Sequence, residues 1–282
     1  MKLNNKQKIG IMQGRLSKSI NGQIQAFPAL TWRDEFKIAR QIGFDVIEWI
    51  FDGEQNPILF SSKIKEIEIL SKENNITVNS ICADYFMVKK LFSESKNNIE
   101  NNIEILNKLI VSANQLGIKY IEIPLVDSSS LKTNKDKNEL ISSLDQVFPI
   151  AEKYNVNIVL ETDLNPQKFK GLLEDMANEN IMANYDSGNS ASLGYDSKEE
   201  IRILKKWIKN VHVKDRKFQG KTVPFGTGDV NFVQFFSTLF EINYSGDLII
   251  QGARYPENEY TPEQTCQIYK KFVKDYLDKY YK

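Results

Sequence analysis

A (β/α)8 barrel is the fold this sequence predicts, and two regularities predict it. Eight short β-rich runs, at residues 9–13, 45–50, 77–82, 120–125, 157–161, 181–185, 210–213 and 247–250, start about every 34 residues, the length of one βα unit. The segments between them are amphipathic with helical spacing, and a helical crossover is what lets successive strands pair in parallel. Eight units in 282 residues fit a closed barrel better than an open doubly wound sheet, which usually has fewer strands and a glycine-rich first turn. The GRLS that follows the first run lacks G-x-G-x-x-G. No linker rich in Pro, Gly or Ser divides the chain, so 1–282 reads as a single barrel domain ending in a C-terminal helix.

The helices carry their own start and stop signals. Thr31 with Asp34, Asn231 with Gln234 and Thr261 with Gln264 have capping-box spacing, and Asn165 precedes a proline suited to the first helical position. Ile38, Ala39 and Ile42 form an inward stripe ended by Gly43, and Leu116 and Gly117 repeat that ending before the fourth run. The charged stretches 63–74 and 94–107 read as solvated faces of surface helices. In the tail 270–282, Phe272, Val273, Tyr276, Leu277 and Tyr280 are spaced for a last amphipathic helix against the barrel wall.

Composition narrows the function. With 41% hydrophobic and 26% charged residues the chain can build a sizeable core under an ordinary polar surface. Its 37 basic residues balance 37 acidic ones, so no whole-protein field draws it to nucleic acid or anionic lipid. Apolar runs are far shorter than the roughly 20 residues that span a bilayer, and the charged start at 1–6 does not lead into a signal-peptide core. Two cysteines, Cys82 and Cys266, make no disulfide framework, and a cytoplasmic location is the simplest expectation. A homo-oligomer stays open. The single histidine, His212, excludes metal centres built from several imidazoles, and the chain has no G-x-S-x-G nucleophile elbow.

In a barrel of this kind the site lies at the carboxyl ends of the strands. The last four runs end in Glu161, Asp186, His212 and Gln251, at comparable depth. Each alone is an ordinary strand-end residue or a satisfied core group. Together, two carboxylates, an imidazole and an amide oxygen make a mixed O/N set that suits Mn²⁺, Mg²⁺ or Co²⁺ and admits Zn²⁺. Across the mouth, Gln13, Arg15, Glu48 and Trp49 close the first two runs. Trp49 beside Glu48 suits a sugar face, or else caps the core. Asn189 is placed either to meet a substrate hydroxyl or to cap a helix. Lys214, Arg216, Lys221 and the turn at Gly226 and Gly228 offer charge and a backbone anion nest, or form a plain surface loop. Arg254 is able to grip a phosphate or to pair with Glu257.

Six motifs together, GIMQGR at 10–15, IGFDVIEW at 42–49, LET at 160–162, YDSGN at 185–189, HVKD at 212–215 and PFGTG at 224–228, resemble the xylose isomerase-like sugar phosphate isomerase/epimerase family. The resemblance runs from about residue 8 to 256 and is poor at naming a substrate. It implies a divalent metal held by one residue from each of the last four strands, with a sugar bound through neighbouring hydroxyls. Carried over by position, Glu161, Asp186 and His212 match the first three ligands, and Gln251 stands where many members have Glu. In the family's epimerases two metal-bound carboxylates face each other across the substrate carbon, whereas an amide has no useful acid or base pKa near neutrality.

Moving a proton between adjacent carbons needs one base, and inverting a stereocentre needs two. With Gln251 in place the expectation is a divalent-metal-dependent sugar or sugar phosphate isomerase, with Glu161 as base and Gln251 the fourth catalytic position. Asp163, Lys214 and Asp215 are candidates for a second proton relay, which keeps ketose 3-epimerisation open. A lyase or dehydratase on the same metal site and a non-catalytic sugar- or metal-binding barrel are the other readings.

Overall fold

The computed structural model describes residues 7–256 and 258–281. The opening segment 1–6 and Glu257, the pairing partner considered for Arg254, lie outside the described residues. Eight strands, β1 (Ile9–Met12), β2 (Val46–Ile50), β3 (Thr77–Cys82), β4 (Tyr120–Leu125), β5 (Asn157–Thr162), β6 (Ile181–Asp186), β7 (Ile208–Val213) and β8 (Leu248–Ile250), pair in parallel in chain order. β8 returns to β1, with Ile9 beside Leu248 and Ile11 beside Ile250, so the sheet closes and has no edge. Closure needs room at the narrow base. Gly10 provides it, because a Cβ there would lie 2.5 Å from Ile249 Cδ1.

The helices end and begin largely where capping chemistry directs. Gly43 and Gly117 terminate theirs in the left-handed region, at φ 84° and 72°. Asn165, Asn231 and Thr261 accept backbone N–H groups at helix starts, and Thr261 with Gln264 forms a reciprocal box. Thr31 corrects its expectation. It precedes Trp32–Ile42 but makes no side-chain cap, because its hydroxyl is bonded to Ser17 Oγ at 2.7 Å in the loop after β1. The final helix, Pro262–Tyr280, packs as its spacing requires: Val273 is buried, and Phe272 and Tyr276 meet Phe232 and Phe236. No helix among the described residues is long and apolar enough to cross a membrane.

Two irregularities in the sheet position the chemistry. Between β6 and β7 the register runs Ala183 to Ile208, then Asn184 to Asn210, so β7 carries one extra residue. Ile208 lies beside Ala183, on the face opposite Asn184, and strict alternation would put His212 on that face too. The extra residue reverses the parity and turns Asn210 and His212 into the barrel beside Asn184 and Asp186. A similar offset in β3, opposite Glu48, lets Ser80 reach that carboxylate at 2.7 Å.

Candidate functional site

His212 is fully buried on the barrel axis and four carboxylates converge on it. Its Nε2 lies 2.7 Å from Glu48 and 3.1 Å from Glu122; its Nδ1 lies 3.1 Å from Glu161 and 3.7 Å from Asp186. Two triads that could hold a metal ion therefore share this ring, one with Glu48 and Glu122, the other with Glu161 and Asp186. Access separates them. The side chains of Glu48, Glu122 and Asp186 are 0%, 1% and 1% exposed, while that of Glu161 keeps 7%. Along the β4/β5 register Pro124 pairs with Glu161, which puts Glu122 two residues deeper than Glu161. Glu161 therefore puts its triad nearer the mouth than the one with Glu48 and Glu122.

The deep carboxylates orient the ring. Glu48 also accepts from Ser80 and from Asn210, both at 2.7 Å, which fixes its oxygen against Nε2. In its neutral form, with Nε2–H donated to Glu48, the ring offers Nδ1 on the side of Asn184, Glu161 and Asp186, the arrangement by which outer carboxylates tune ligating histidines. Burial pulls the imidazole pKa down, but Glu122 and Glu48 outweigh it and hold His212 well above its ordinary value. Glu122 is pushed well up by burial and by repulsion from Glu161 and Glu48, against the attraction of His212. Burial would raise Asp186 too, yet Lys214 and His212 bring it down to about 2.

Glu161 is held by two amides, with Asn184 Nδ2 2.6 Å from one oxygen and Asn189 Nδ2 2.5 Å from the other. Asn189 thus does not cap a helix with its side chain, which is engaged with Glu161. Its backbone N–H donates to Asp186 at 2.8 Å, and its carbonyl oxygen accepts from Arg216 at 2.8 Å. Lys214 lies 3.2 Å from Asp186, and its stem passes so near Gly188 that a Cβ there would come within 2.7 Å. Gln251 follows β8 with its amide oxygen buried and without a hydrogen-bond partner. Two carboxylates, an imidazole nitrogen that must shed a proton to bind, and an orphaned amide oxygen make a donor set whose chemistry fits a divalent cation.

Several mouth residues are placed differently from the sequence expectation. Trp49 is fully buried among the helices, its ring 5.5 Å from Trp32 and 5.3 Å from Phe27, with Nε1 donating to Asn56 at 2.9 Å. Successive strand residues point to opposite faces, so Glu48 inside sends Trp49 outside, and it cannot stack on a sugar. Gln13 accepts from Ile50 N at 3.0 Å. Arg15 donates to Ile24 O, Gly252 O and Gln25, and Arg254 donates to Gly14 O and Ser17 O, so both arginines tie the loop after β8 to that after β1. The glycine turn is no open anion nest. Asp215 already fills it, accepting from Gly226 N at 2.8 Å, Gly228 N at 2.9 Å and Val230 N at 3.3 Å, which also removes Asp215 from the candidate proton relays. Arg216 further donates to Gly220 O at 2.9 Å. Asp163 sits at the end of β5, bonded to Ser130.

A family model described as a xylose isomerase-like TIM barrel matches residues 36–271. The chain belongs to that family. Among curated relatives, a putative L-ribulose-5-phosphate 3-epimerase of Haemophilus influenzae is 26% identical, covering 87% of this chain and 88% of its own. A probable L-ribulose-5-phosphate 3-epimerase of Mycoplasma pneumoniae is 29% identical over 81% of this chain and 75% of its own. A solved L-ribulose 3-epimerase superposes with a TM-score of 0.76 at 21% identity, covering 97% of this chain and 95% of its own, a likeness of fold.

Within this family frame, sequence reading missed Glu122, Asn184, Gln25 and Asp84. The first two had a signal: Glu122 stands between Ile121 and Ile123, and Asn184 two residues before Asp186, so alternation puts both polar groups inside. Behind β6, Glu200 accepts from Ser190, and burial pushes its carboxyl up to about 7 from 4.5. A folded pKa above the unfolded one means that this contribution is complete below pH 4.5 and lost as pH rises through 7, about 3 kcal/mol in all. Thermal denaturation of metal-free protein between pH 5 and pH 8 should show a falling midpoint, with Glu200→Gln flattening part of the slope. An unchanged slope would mean that Glu200 is ionised in the folded state.

Proposed function

We propose that the chain is a divalent-metal-dependent sugar or sugar phosphate isomerase that works by proton transfer at a carbon beside a ketose carbonyl, with Glu161 as base. The observation that carries this reading is Glu161 itself: a mouth-side carboxylate with each oxygen held by one amide, grouped with Asp186 and the His212 Nδ1 in one potential metal triad. Glu161, Asp186, His212 and Gln251 would hold the cation. When bound, it supplies Lewis-acid stabilisation of negative charge on a substrate oxygen.

The protein's own groups do the rest. Asn184 and Asn189 aim Glu161, each donating an amide N–H to one of its oxygens. Glu161 takes the proton from the substrate carbon and returns it to the neighbouring carbon on the same face, a task for a single base, while the hydroxyl proton passes from one of the two substrate oxygens to the other. Lys214, charge-paired with Asp186, is placed to donate to a substrate oxygen. Arg216 braces Asn189, and through it Glu161.

Ketose 3-epimerisation is the second reading, favoured by the relatives' names. It requires an acid on the opposite face, which an amide at 251 does not provide. The two reactions label different carbons. Incubation of Mn²⁺-loaded protein with L-ribulose and with L-ribulose 5-phosphate in D₂O, followed by NMR, should place deuterium at C1 or C2 for isomerisation. Deuterium at C3 with inversion would establish the epimerase, and no exchange in a wider panel of ketoses and their phosphates would reject proton transfer altogether.

A further inference from the structure

Gln251 sits at the end of a hydrogen-bonded chain whose polarity is fixed at its far end. Gln251 Nε2 lies 2.8 Å from Gln25 Oε1, and Gln25 Nε2 lies 2.7 Å from Asp84 Oδ2. Burial pushes the Asp84 carboxyl up, and the hydrogen bonds from Gln25 and Cys82 pull it back; the Asp84 oxygen facing Gln25 accepts from its NH₂ group. A second anchor fixes the other end of the same amide. Arg15 Nη2, which only donates, approaches Gln25 Oε1 at 3.3 Å, and its guanidinium is held in place by Ile24 O and Gly252 O. The Cys82 thiol, 3.3 Å from the other Asp84 oxygen, donates to it as well. With its carbonyl facing Arg15, Gln25 accepts the Gln251 NH₂. The carbonyl oxygen of Gln251 is then the atom left buried without a partner.

Where that oxygen faces follows from the sheet. His212 is inward, and its register partner on β8 is Ile249, so alternation turns Gln251 inward too, above the same ring. We propose that Asp84 and Gln25 are positioning residues that set the direction of the Gln251 amide, presenting its oxygen to the Glu161, Asp186 and His212 cluster, and that Asp84 is the reason position 251 holds an amide. A glutamate at 251 would bring a carboxylate oxygen against the Gln25 carbonyl, lone pair to lone pair. Accommodating it requires Gln25 to flip, and its carbonyl would then oppose the Asp84 carboxylate. One acid can stand at either end of this relay, and here it stands at 84.

The inference rests on the proposed metal centre, so its test reads two quantities, the thermal midpoint of metal-free protein and the Mn²⁺ dissociation constant by calorimetry. Four proteins are compared: wild type, Asp84→Asn, Gln251→Glu and the double variant. Asp84→Asn removes the closer of the two anchors, leaves only the 3.3 Å Arg15 contact to oppose reversal, and should weaken Mn²⁺ roughly tenfold, in the range of other outer-shell changes. Gln251→Glu should lower the metal-free midpoint, and adding Asp84→Asn should recover much of that loss. Because removing a charge at 84 also relieves simple repulsion, the cycle is repeated in a Gln25→Leu background, where the coupling should disappear. Additive effects, or coupling that survives Gln25→Leu, overturn the relay. Wild type that fails to bind Mn²⁺ while the metal-free coupling holds would instead reject the metal centre and leave the relay standing.

Discussion

Glu161→Gln should reduce exchange of the substrate carbon proton with solvent by roughly 10²–10⁴-fold, the usual worth of a positioned general base. The substitution preserves an oxygen that a cation can use, and its new NH₂ group is accommodated once Asn184 turns its unpartnered Oδ1 toward it. Metal affinity should therefore fall much less than exchange. Calorimetry with Mn²⁺ and a D₂O exchange assay on the same preparation separate the two. Exchange at the wild-type rate would move the base elsewhere, with Asp163 the next candidate because Asp215 is sealed in its glycine turn.

His212→Ala should have the other large effect, and on two properties together. It removes a proposed ligand, so Mn²⁺ affinity should fall by at least about 100-fold, beyond the roughly 10–100-fold that outer-shell changes cost. It also strips Glu48 and Glu122 of their buried positive partner, a loss of about 3–5 kcal/mol when one side of a buried pair is removed. Glu48→Gln provides the control that should still fold: it keeps an acceptor for the ring while giving up the charge, and should weaken Mn²⁺ by about tenfold. Retention of full affinity in both variants would reject the mouth-side triad as the metal centre.

The pairing of Glu161, Asp186 and His212 was legible because each ends a strand in a regular βα repeat, and the repeat fixes their common depth. Trp49 shows where that reasoning stopped short of its own rule, since alternation already forbade Glu48 and Trp49 from sharing a face. Glu122 and Asn184 were legible by the same rule. Arg15, Arg254 and the glycine turn were not, because their donors are consumed by carbonyls and a carboxylate brought close only by folding.

By itself the sequence determined the eight-strand repeat, the helix ends and the identity of three converging ligand candidates, all properties of local period and composition. The tertiary structure decided which way those groups point and what they meet. One extra residue in β7 turns His212 inward, a choice no period-two pattern contains. Gln251 meets Gln25 across 226 positions of chain, and only that contact, with Asp84 and Arg15 behind it, gives the amide a direction. Hydrogen bonds between loops depend on barrel closure, which brings distant segments together. The sequence records the donors and acceptors but not their pairing.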